Sequence, residues 1–189
     1  QKMSEDGFDW WKKRFEQMSN YFDAFRIDHI LGFFRIWSIP IHAVQGIMGH
    51  FVPAIPVHIS EFHEKNIWFD YSRYTKPFIN DSVLYETFGE ASDEVKKTFL
   101  QPNGFGQYEL LEAFDTQQKL ELYFTSIEKT PFHDFLKLGL FDCISNVILF
   151  EQPNSNAQQF HFRIGMDQTA SFRQLDGNTQ EQLKALYVN

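Results

Sequence analysis

An amphipathic helix followed at once by a short apolar run constrains the fold of this chain more than any other sequence feature. Apolar side chains recur there at three- and four-residue spacing with polar residues between them: Phe8, Trp11, Phe15 and Met18. This spacing predicts one helix with Ser4 or Asp6 as its N-cap and an end near Asn20. A helix that returns directly into a buried strand is half of a βαβ unit.

The apolar run closes on charged side chains. Residues 21–29 read as a buried strand that ends in Arg26, Asp28 and His29, and Gly32 follows in the next loop. Barrels of alternating strands and helices place their functional side chains at the C-terminal ends of the strands. The order of elements therefore predicts one helix–strand unit of such a barrel.

The alternation of helix and strand is lost beyond Pro53 and Pro56. Periodicity and turn residues predict short amphipathic helices at 60–66, 81–88, 92–100, 115–127 and 131–138, and a closing helix at 178–187. Two strand-like segments, 146–150 and 159–164, are separated by a Pro- and Asn-containing turn and predict a β-hairpin. The fold class expected for the whole chain is therefore α+β.

Charge and cysteine content exclude several functions. The 189 residues carry 17 Lys and Arg against 25 Asp and Glu, a net charge of −8. Such a surface repels polyphosphate and anionic lipid, so neither nucleic acid nor a membrane is an expected partner. The single cysteine, Cys143, excludes an internal disulfide and a multi-thiolate metal site, and its apolar neighbours predict a buried side chain rather than a nucleophile.

Aromatic residues are unusually frequent. There are 22 Phe, 7 Tyr and 4 Trp, which predicts a core rich in phenylalanine. Trp37 and Trp68 are also candidates for stacking on sugar rings, with core packing as the alternative for each. His58 and His63 are five residues apart, a spacing that does not place two metal ligands on one helical face.

Arg26 and Asp28 form the candidate catalytic pair. Residues two apart in a strand share a face, so the guanidinium would hold the carboxylate ionised and oriented. A carboxylate held in this way can attack an anomeric carbon and form a glycosyl–enzyme intermediate. A purely structural Arg–Asp pair at the end of a strand is the alternative that these residues leave open.

Residues 21–40, YFDAFRIDHILGFFRIWSIP, closely resemble the nucleophile region of the 4-α-glucanotransferases of glycoside hydrolase family 77, the amylomaltases and disproportionating enzymes. The R-I-D-H motif, the following Gly and the W-x-I-P element occur together and in the same order. The resemblance implies that Asp28 is the nucleophile, that Arg26 is its charged partner, and that His29 lies in or beside the donor subsite. Trp37 of the W-x-I-P element is the further candidate for substrate binding.

Three later segments, 49–56, 115–119 and 171–175, look like the branch of this family typified by the plant cytosolic disproportionating enzyme. In that branch a long insertion separates the nucleophile strand from the strand of the acid/base glutamate. The resemblance implies that residues 1–51 belong to the catalytic (β/α)₈ barrel and that residues 52–189 form the insertion, which is mostly helical with a β-hairpin.

The chain departs from the family pattern in one respect. The E-D-L-G-like strand that carries the acid/base Glu does not occur in it, and a complete barrel needs about 250 residues. Retaining transfer needs a second carboxyl group roughly 5–5.5 Å from the nucleophile. The chain is therefore expected to be an internal piece of a larger enzyme and to be inactive alone.

The resemblance implies a cytoplasmic 4-α-glucanotransferase of carbohydrate metabolism. Such an enzyme moves glucosyl or short α-1,4-glucan units between maltose, malto-oligosaccharides or glycogen-like glucans by a retaining double displacement and needs no cofactor. The sequence does not fix an oligomeric state. The alternative interpretation is a non-catalytic module after Val52 that binds glycan or a second subunit, or that braces the barrel.

Overall fold

The computed structural model describes residues 2–24, 26, 28, 32 and 34–188 of the chain. The chain divides into two compact units, Gln1–Ile36 and Trp37–Asn189. Each unit is considered separately below.

The first unit contains two helices, α1 (Lys2–Glu5) and α2 (Asp9–Ser19). The apolar stripe of α2 is confirmed in part: Trp11, Phe15 and Met18 are half-buried, whereas Phe8 is exposed. The predicted end near Asn20 is also confirmed, because Asn20 is the C-cap.

The predicted N-cap of α2 is wrong. Phe8, and neither Ser4 nor Asp6, occupies the N-cap position, and its side chain makes no capping hydrogen bond. Gly7 and Phe8 both have positive φ, at 66° and 61°. This left-handed turn separates α1 from α2 and moves the start of the helix beyond both predicted caps.

The predicted strand at 21–29 is wrong for the residues that the structure describes. Residues 21–24, 26 and 28 lie outside any strand, and His29 lies outside the described residues. A strand of a parallel sheet is stabilised by hydrogen bonds to its neighbours. No strand in the described part of the chain pairs with this segment.

Three small sheets are formed by eight short strands of the described chain. They are β1 (Ile36–Ser38), β2 (His50–Val52), β3 (Val57–His58), β4 (Ile79–Asn80), β5 (Leu100–Gly104), β6 (Gln107–Leu110), β7 (Leu149–Glu151) and β8 (Gln159–Phe162). β1 pairs with β2, and the other two sheets have the orders β3-β8-β7 and β4-β6-β5. Every pairing in the two three-stranded sheets is antiparallel.

The helices of the second unit connect and cover these sheets. They are α3 (Ile59–Glu64), α4 (Tyr71–Thr75), α5 (Asp81–Phe88), α6 (Ser92–Phe99), α7 (Gln117–Ser126), α8 (Pro131–Ser145), α9 (Ala170–Arg173) and α10 (Gly177–Val188). Each predicted helix of residues 60–138 is confirmed within a few residues at its start, as is α10. The predicted hairpin is confirmed as the β7–β8 pair.

Several features of the second unit were not predicted, including the following three. Helix α8 continues to Ser145, well past residue 138, because its C-terminal half is buried on nearly every side. Helix α4 and the β5–β6 hairpin carry too few apolar residues for a periodic signal. Their positions depend on contacts with the rest of the unit.

Two apolar cores hold the second unit together. Helices α5 to α8 surround the first core, whose fully buried members include Leu84, Val95, Leu120 and Leu140. The second core lies around β8 and includes the fully buried Phe62 and Phe160 together with Phe172, Met166 and Leu183. The expected phenylalanine-rich core is thus confirmed, and both cores stabilise the unit by removing apolar surface from water.

The architecture is α+β, as expected from the sequence. Its described residues form helices and small antiparallel sheets, and they do not close into a barrel. None of the helices in the described ranges combines the length and apolar character that crossing a bilayer requires.

Candidate active site

Arg26 and Asp28 form an ion pair. The Nη2 atom of Arg26 lies 3.5 Å from Oδ1 of Asp28, and both side chains are 87% exposed. The pair therefore forms although the segment is not a strand. His29, the third residue of the motif, lies outside the described residues.

The exposure of this pair limits what it can do by itself. In water the attraction between two unit charges is largely screened, so an exposed ion pair contributes little to stability. A hydrated carboxylate must also shed water before it can bond to carbon. Exposed ion pairs of this kind gain electrostatic strength only where surrounding groups exclude the solvent.

Trp37 lies on the β1–β2 ribbon, in the second unit, and is held there by three neighbours. Its Nε1 atom donates a hydrogen bond to the carbonyl oxygen of Gly46 at 2.8 Å. Its ring meets Phe51 edge-to-face at 4.8 Å between centroids. A side chain at Gly49 would come within 2.5 Å of Nε1, so only glycine fits beside the indole.

The two tryptophan candidates have different surroundings. Trp37 is half-buried, whereas Trp68 is 87% exposed, so the core-packing alternative is wrong for Trp68. The carbonyl oxygen of Trp68 accepts a hydrogen bond from the hydroxyl of Tyr74 at 3.1 Å, which fixes its backbone rather than its ring.

Gln117 fixes the loop that follows the W-x-I-P element, a role that the sequence did not indicate. Its Oε1 atom accepts hydrogen bonds from the backbone N–H groups of Val44 and Gln45, both at 2.9 Å. Its Nε2 atom donates to Oε1 of Gln45 at 2.8 Å. Gln117 is completely buried, whereas a glutamine in the first turn of a helix would ordinarily be assigned to solvent.

The other reactive side chains have structural roles. His58 forms a capping box at the start of α3, since its Nδ1 accepts from the N–H of Ser60 and its own N–H donates to Glu61. Cys143 is buried, as predicted, and this burial raises the pKa of its thiol to about 12, which disfavours the nucleophilic thiolate. Within the described ranges, no group of three or more His, Cys, Asp or Glu residues is placed to hold a metal ion.

Comparison with known protein families places this motif in context. The family model of the 4-alpha-glucanotransferases, glycoside hydrolase family 77, matches residues 1–185. The chain belongs to this family. The R-I-D-H and W-x-I-P elements therefore stand in a glycoside hydrolase family 77 chain.

Similar proteins carry the same family name. The chain is 36% identical over 193 aligned residues to "4-alpha-glucanotransferase DPE2" of rice. This alignment covers 100% of this chain and 20% of the rice protein. It is 43% identical over 47 residues to the potato "4-alpha-glucanotransferase, chloroplastic/amyloplastic", covering 25% of this chain and 8% of that protein. A Chlamydia pneumoniae 4-alpha-glucanotransferase is 38% identical over 55 residues, covering 29% of this chain and 10% of the relative.

The chain thus spans about one fifth of the rice relative and a tenth or less of the other two. No solved structure matches it.

Proposed function

We propose that this family 77 protein is a 4-α-glucanotransferase that moves glucosyl or short α-1,4-glucan units between glucans. The observation that carries the proposal is the 36% identity to the rice enzyme along the whole chain, with the family match over residues 1–185. Maltose, malto-oligosaccharides and glycogen-like glucans are the proposed substrates. The ion pair of Arg26 and Asp28 supports an active centre at this motif.

Asp28 is the proposed nucleophile. One of its carboxylate oxygens forms a bond to C1 of the donor sugar while the glycosidic C1–O bond breaks, and the leaving oxygen takes a proton from a glutamic acid. The resulting glutamate then accepts the proton of an acceptor hydroxyl, which attacks C1 and releases Asp28. Two inversions at C1 retain its configuration, and no cofactor takes part.

Arg26 is the proposed charged partner of the nucleophile. Its guanidinium lies beside the Asp28 carboxylate and can orient the oxygen that attacks carbon. His29 and Trp37 are proposed to bind the donor sugar. The hydrogen bond from Trp37 to Gly46 would keep the indole in one orientation for such a contact.

Residues 1–51 are proposed to be part of the catalytic (β/α)₈ barrel, and residues 52–189 an insertion in it. The acid/base glutamate is proposed to lie in the remaining part of a longer protein, because this chain covers 20% of the rice enzyme and lacks the E-D-L-G motif. The 189 residues alone are accordingly expected to be inactive. The exposure of Arg26 and Asp28 to water supports that expectation.

The cytoplasm is the proposed location. The similarity to the rice protein covers the entire chain, whereas that to the chloroplastic/amyloplastic potato protein covers 25% of it. A fluorescent fusion of the full-length protein should give a diffuse cytoplasmic signal. Accumulation in an organelle would contradict this assignment.

Replacing the nucleophile tests the proposed activity directly. In the full-length enzyme, Asp28→Asn should lower the release of glucose from maltose by at least about 10³-fold, because an amide cannot form the covalent intermediate. Asp23→Asn is the matched control, since Asp23 is also exposed and lies five residues earlier. Undiminished turnover in the Asp28→Asn enzyme would remove Asp28 from the nucleophile role.

A further inference from the structure

A large cleft lies in the second unit, between the end of α4 and the β5–β6 hairpin. Its volume is about 960 Å³, at the upper end of the range of about 300–1,000 Å³ that is typical of ligand sites. Its lining residues come from 70–78 and from 101–115. It therefore lies entirely in the second unit, whereas Asp28 belongs to the first.

The walls of the cleft are suited to a neutral, hydroxyl-rich ligand. Amide side chains line it at Gln101, Asn103 and Gln107, and the Nε2 atom of Gln101 donates a hydrogen bond to Oε1 of Glu109 at 2.6 Å. Amides and carboxylates together offer donors and acceptors at fixed positions. Sugar hydroxyl groups can use both kinds of partner.

The charges of the cleft argue against an anionic ligand. Four carboxylates line it, at Asp70, Glu109, Glu112 and Asp115, against the two basic residues Arg73 and Lys76. The guanidinium of Arg73 is already engaged. Its Nη1 and Nη2 atoms donate to the hydroxyl and carbonyl oxygens of Ser171 at 2.6 and 2.5 Å, and it lies 3.8 Å from the ring centroid of Phe78. A phosphate or carboxylate would therefore meet net negative charge.

An aromatic ring stands at the edge of the cleft. Phe105 forms the tip of the β5–β6 hairpin, and its side chain is fully exposed. Its φ is 52°, between Gly104 at 85° and Gly106 at 72°. In two-residue hairpin loops of type I′ both central residues have positive φ, as Phe105 and Gly106 do here, and the exposed ring gains nothing from burial. The turn thus holds a large apolar ring exposed to water at the edge of the cleft, where it is open to a ligand.

We propose that this cleft is a second glucan-binding site, separate from the site of Asp28. Phe105 stacks on the apolar face of a pyranose ring, and Gln101, Gln107 and Glu109 hydrogen-bond to hydroxyl groups of the same chain. The identity of the sugar as an α-1,4-glucan rests on the proposed function. Binding at a second site raises the local concentration of a long glucan at the first, an advantage that maltose is too short to share.

Affinity electrophoresis in glycogen-containing gels and calorimetric titration with maltoheptaose test this site. Both measurements use the full-length protein carrying Asp28→Asn as the background, so that no turnover complicates binding. Phe105→Ala should weaken binding by about tenfold, the loss of one aromatic contact of roughly 1.4 kcal/mol. Tyr85→Ala is the matched control and should bind as the background does, because Tyr85 is an exposed aromatic residue of α5 that does not line the cleft.

The variants separate this proposal from a general effect on folding. Phe105 packs against no core, so thermal unfolding of Phe105→Ala should match that of the background. The second site would be overturned by any of three results. Phe105→Ala could bind as well as the background, Tyr85→Ala could lose as much binding as Phe105→Ala, or the background could fail to bind. None of these results bears on the turnover test of Asp28, so the two proposals fail independently.

Discussion

The buried Gln117 ties the loop after Trp37 to helix α7. A backbone hydrogen bond from the N–H of Gln118 to the carbonyl oxygen of His42 at 3.1 Å also joins them. Gln117 is the shared acceptor for the backbone N–H groups of Val44 and Gln45. Polar groups that lose their partner away from water cost much of their hydration free energy. The orientation of this loop at Val44 and Gln45 therefore depends on the side-chain amide of Gln117.

Replacing Gln117 by Leu should destabilise the second unit. The substitution leaves the N–H groups of Val44 and Gln45 without their acceptor, so the free energy of unfolding should fall by about 2–4 kcal/mol. Urea unfolding followed by circular dichroism measures it. Gln118→Leu is the neighbouring control, exposed on the same helix, and should change stability by no more than about 0.5 kcal/mol. Equal effects of the two substitutions would contradict the role of Gln117.

Close helix packing depends on a glycine in α8. A Cβ atom at Gly139 would overlap the ring of Phe88, a residue of α5 that belongs to the first core. At Gly177, the first residue of α10, a Cβ atom would meet nothing within 4 Å. The two glycines therefore have opposite tolerance for a side chain.

Alanine at the two positions should have opposite effects. Gly139→Ala should lower the free energy of unfolding by about 1–3 kcal/mol, because the buried Phe88 ring must shift. Gly177→Ala should leave it unchanged or raise it by up to about 1 kcal/mol, since alanine restricts the unfolded chain. Thermal melting of both variants checks this pair. A neutral Gly139→Ala would mean that α5 and α8 are not closely packed.

Two stacked histidines connect the ribbon to the β3-β8-β7 sheet. The rings of His50 on β2 and His161 on β8 lie 4.4 Å apart at 17° between planes, and Nε2 of His161 lies 2.5 Å from Oε1 of Gln152. Burial lowers the pKa of His50. Burial, and secondarily the charge of His50, lowers the pKa of His161. Both shifts favour the neutral form of the imidazole ring.

The sign of the pH dependence follows from these pKa shifts. The unfolded chain binds protons at a pKa of about 6.5, above that of the folded chain, so the contribution of both histidines is fully present above that pH. This contribution to stability is lost as the pH falls below about 6.5 towards the lower pKa values that the two histidines have in the folded chain. His50→Phe keeps a ring in the stack but removes one titration. Its loss of stability between about pH 7.5 and about pH 5.5 should be smaller than that of the wild type.

Denaturant titrations at the two pH values measure this difference. The control is His63→Phe, because His63 is exposed on α3 and its replacement should leave the wild-type pH dependence intact. An unchanged pH dependence in His50→Phe would show that the stacked pair does not contribute to it.

At the scale of the whole molecule, local sequence signals predicted the second unit better than the first. Helix α5 could be placed because Asn80 caps it, accepting from the N–H of Val83 at 2.9 Å, and because its apolar spacing is regular. The start of α2 could not, since the left-handed turn at Gly7 and Phe8 replaced the expected caps. A strand at 21–29 was expected from its apolar run alone, although strands also require partners.

The candidate site divides in the same way. The motif around Asp28 could be recognised from the sequence because its residues are contiguous, and the structure places Arg26 beside Asp28. Gln117 was missed because its partners lie 72 and 73 residues away in the chain. The cleft beside Phe105 was missed because it is formed by two segments without a common motif.

Cys143 offers a measure of the integrity of the first core. Because its thiol is buried and its pKa is raised to about 12, it should react with iodoacetamide at least about 10³-fold more slowly than a free thiol and only as the core opens. Mass spectrometry of the native and urea-unfolded protein follows the reaction. Labelling of the native protein as fast as a small thiol would contradict a closed core.

A carboxylate oxygen of Asp28 is proposed to bond to C1 of a glucose unit during transfer. Treating the full-length enzyme with a fluorinated α-glucosyl fluoride, which slows breakdown of the intermediate, should leave one sugar on the protein. Peptide mapping by mass spectrometry is expected to place that sugar on Asp28, with none bound in Asp28→Asn. A sugar attached to any other side chain would contradict the account.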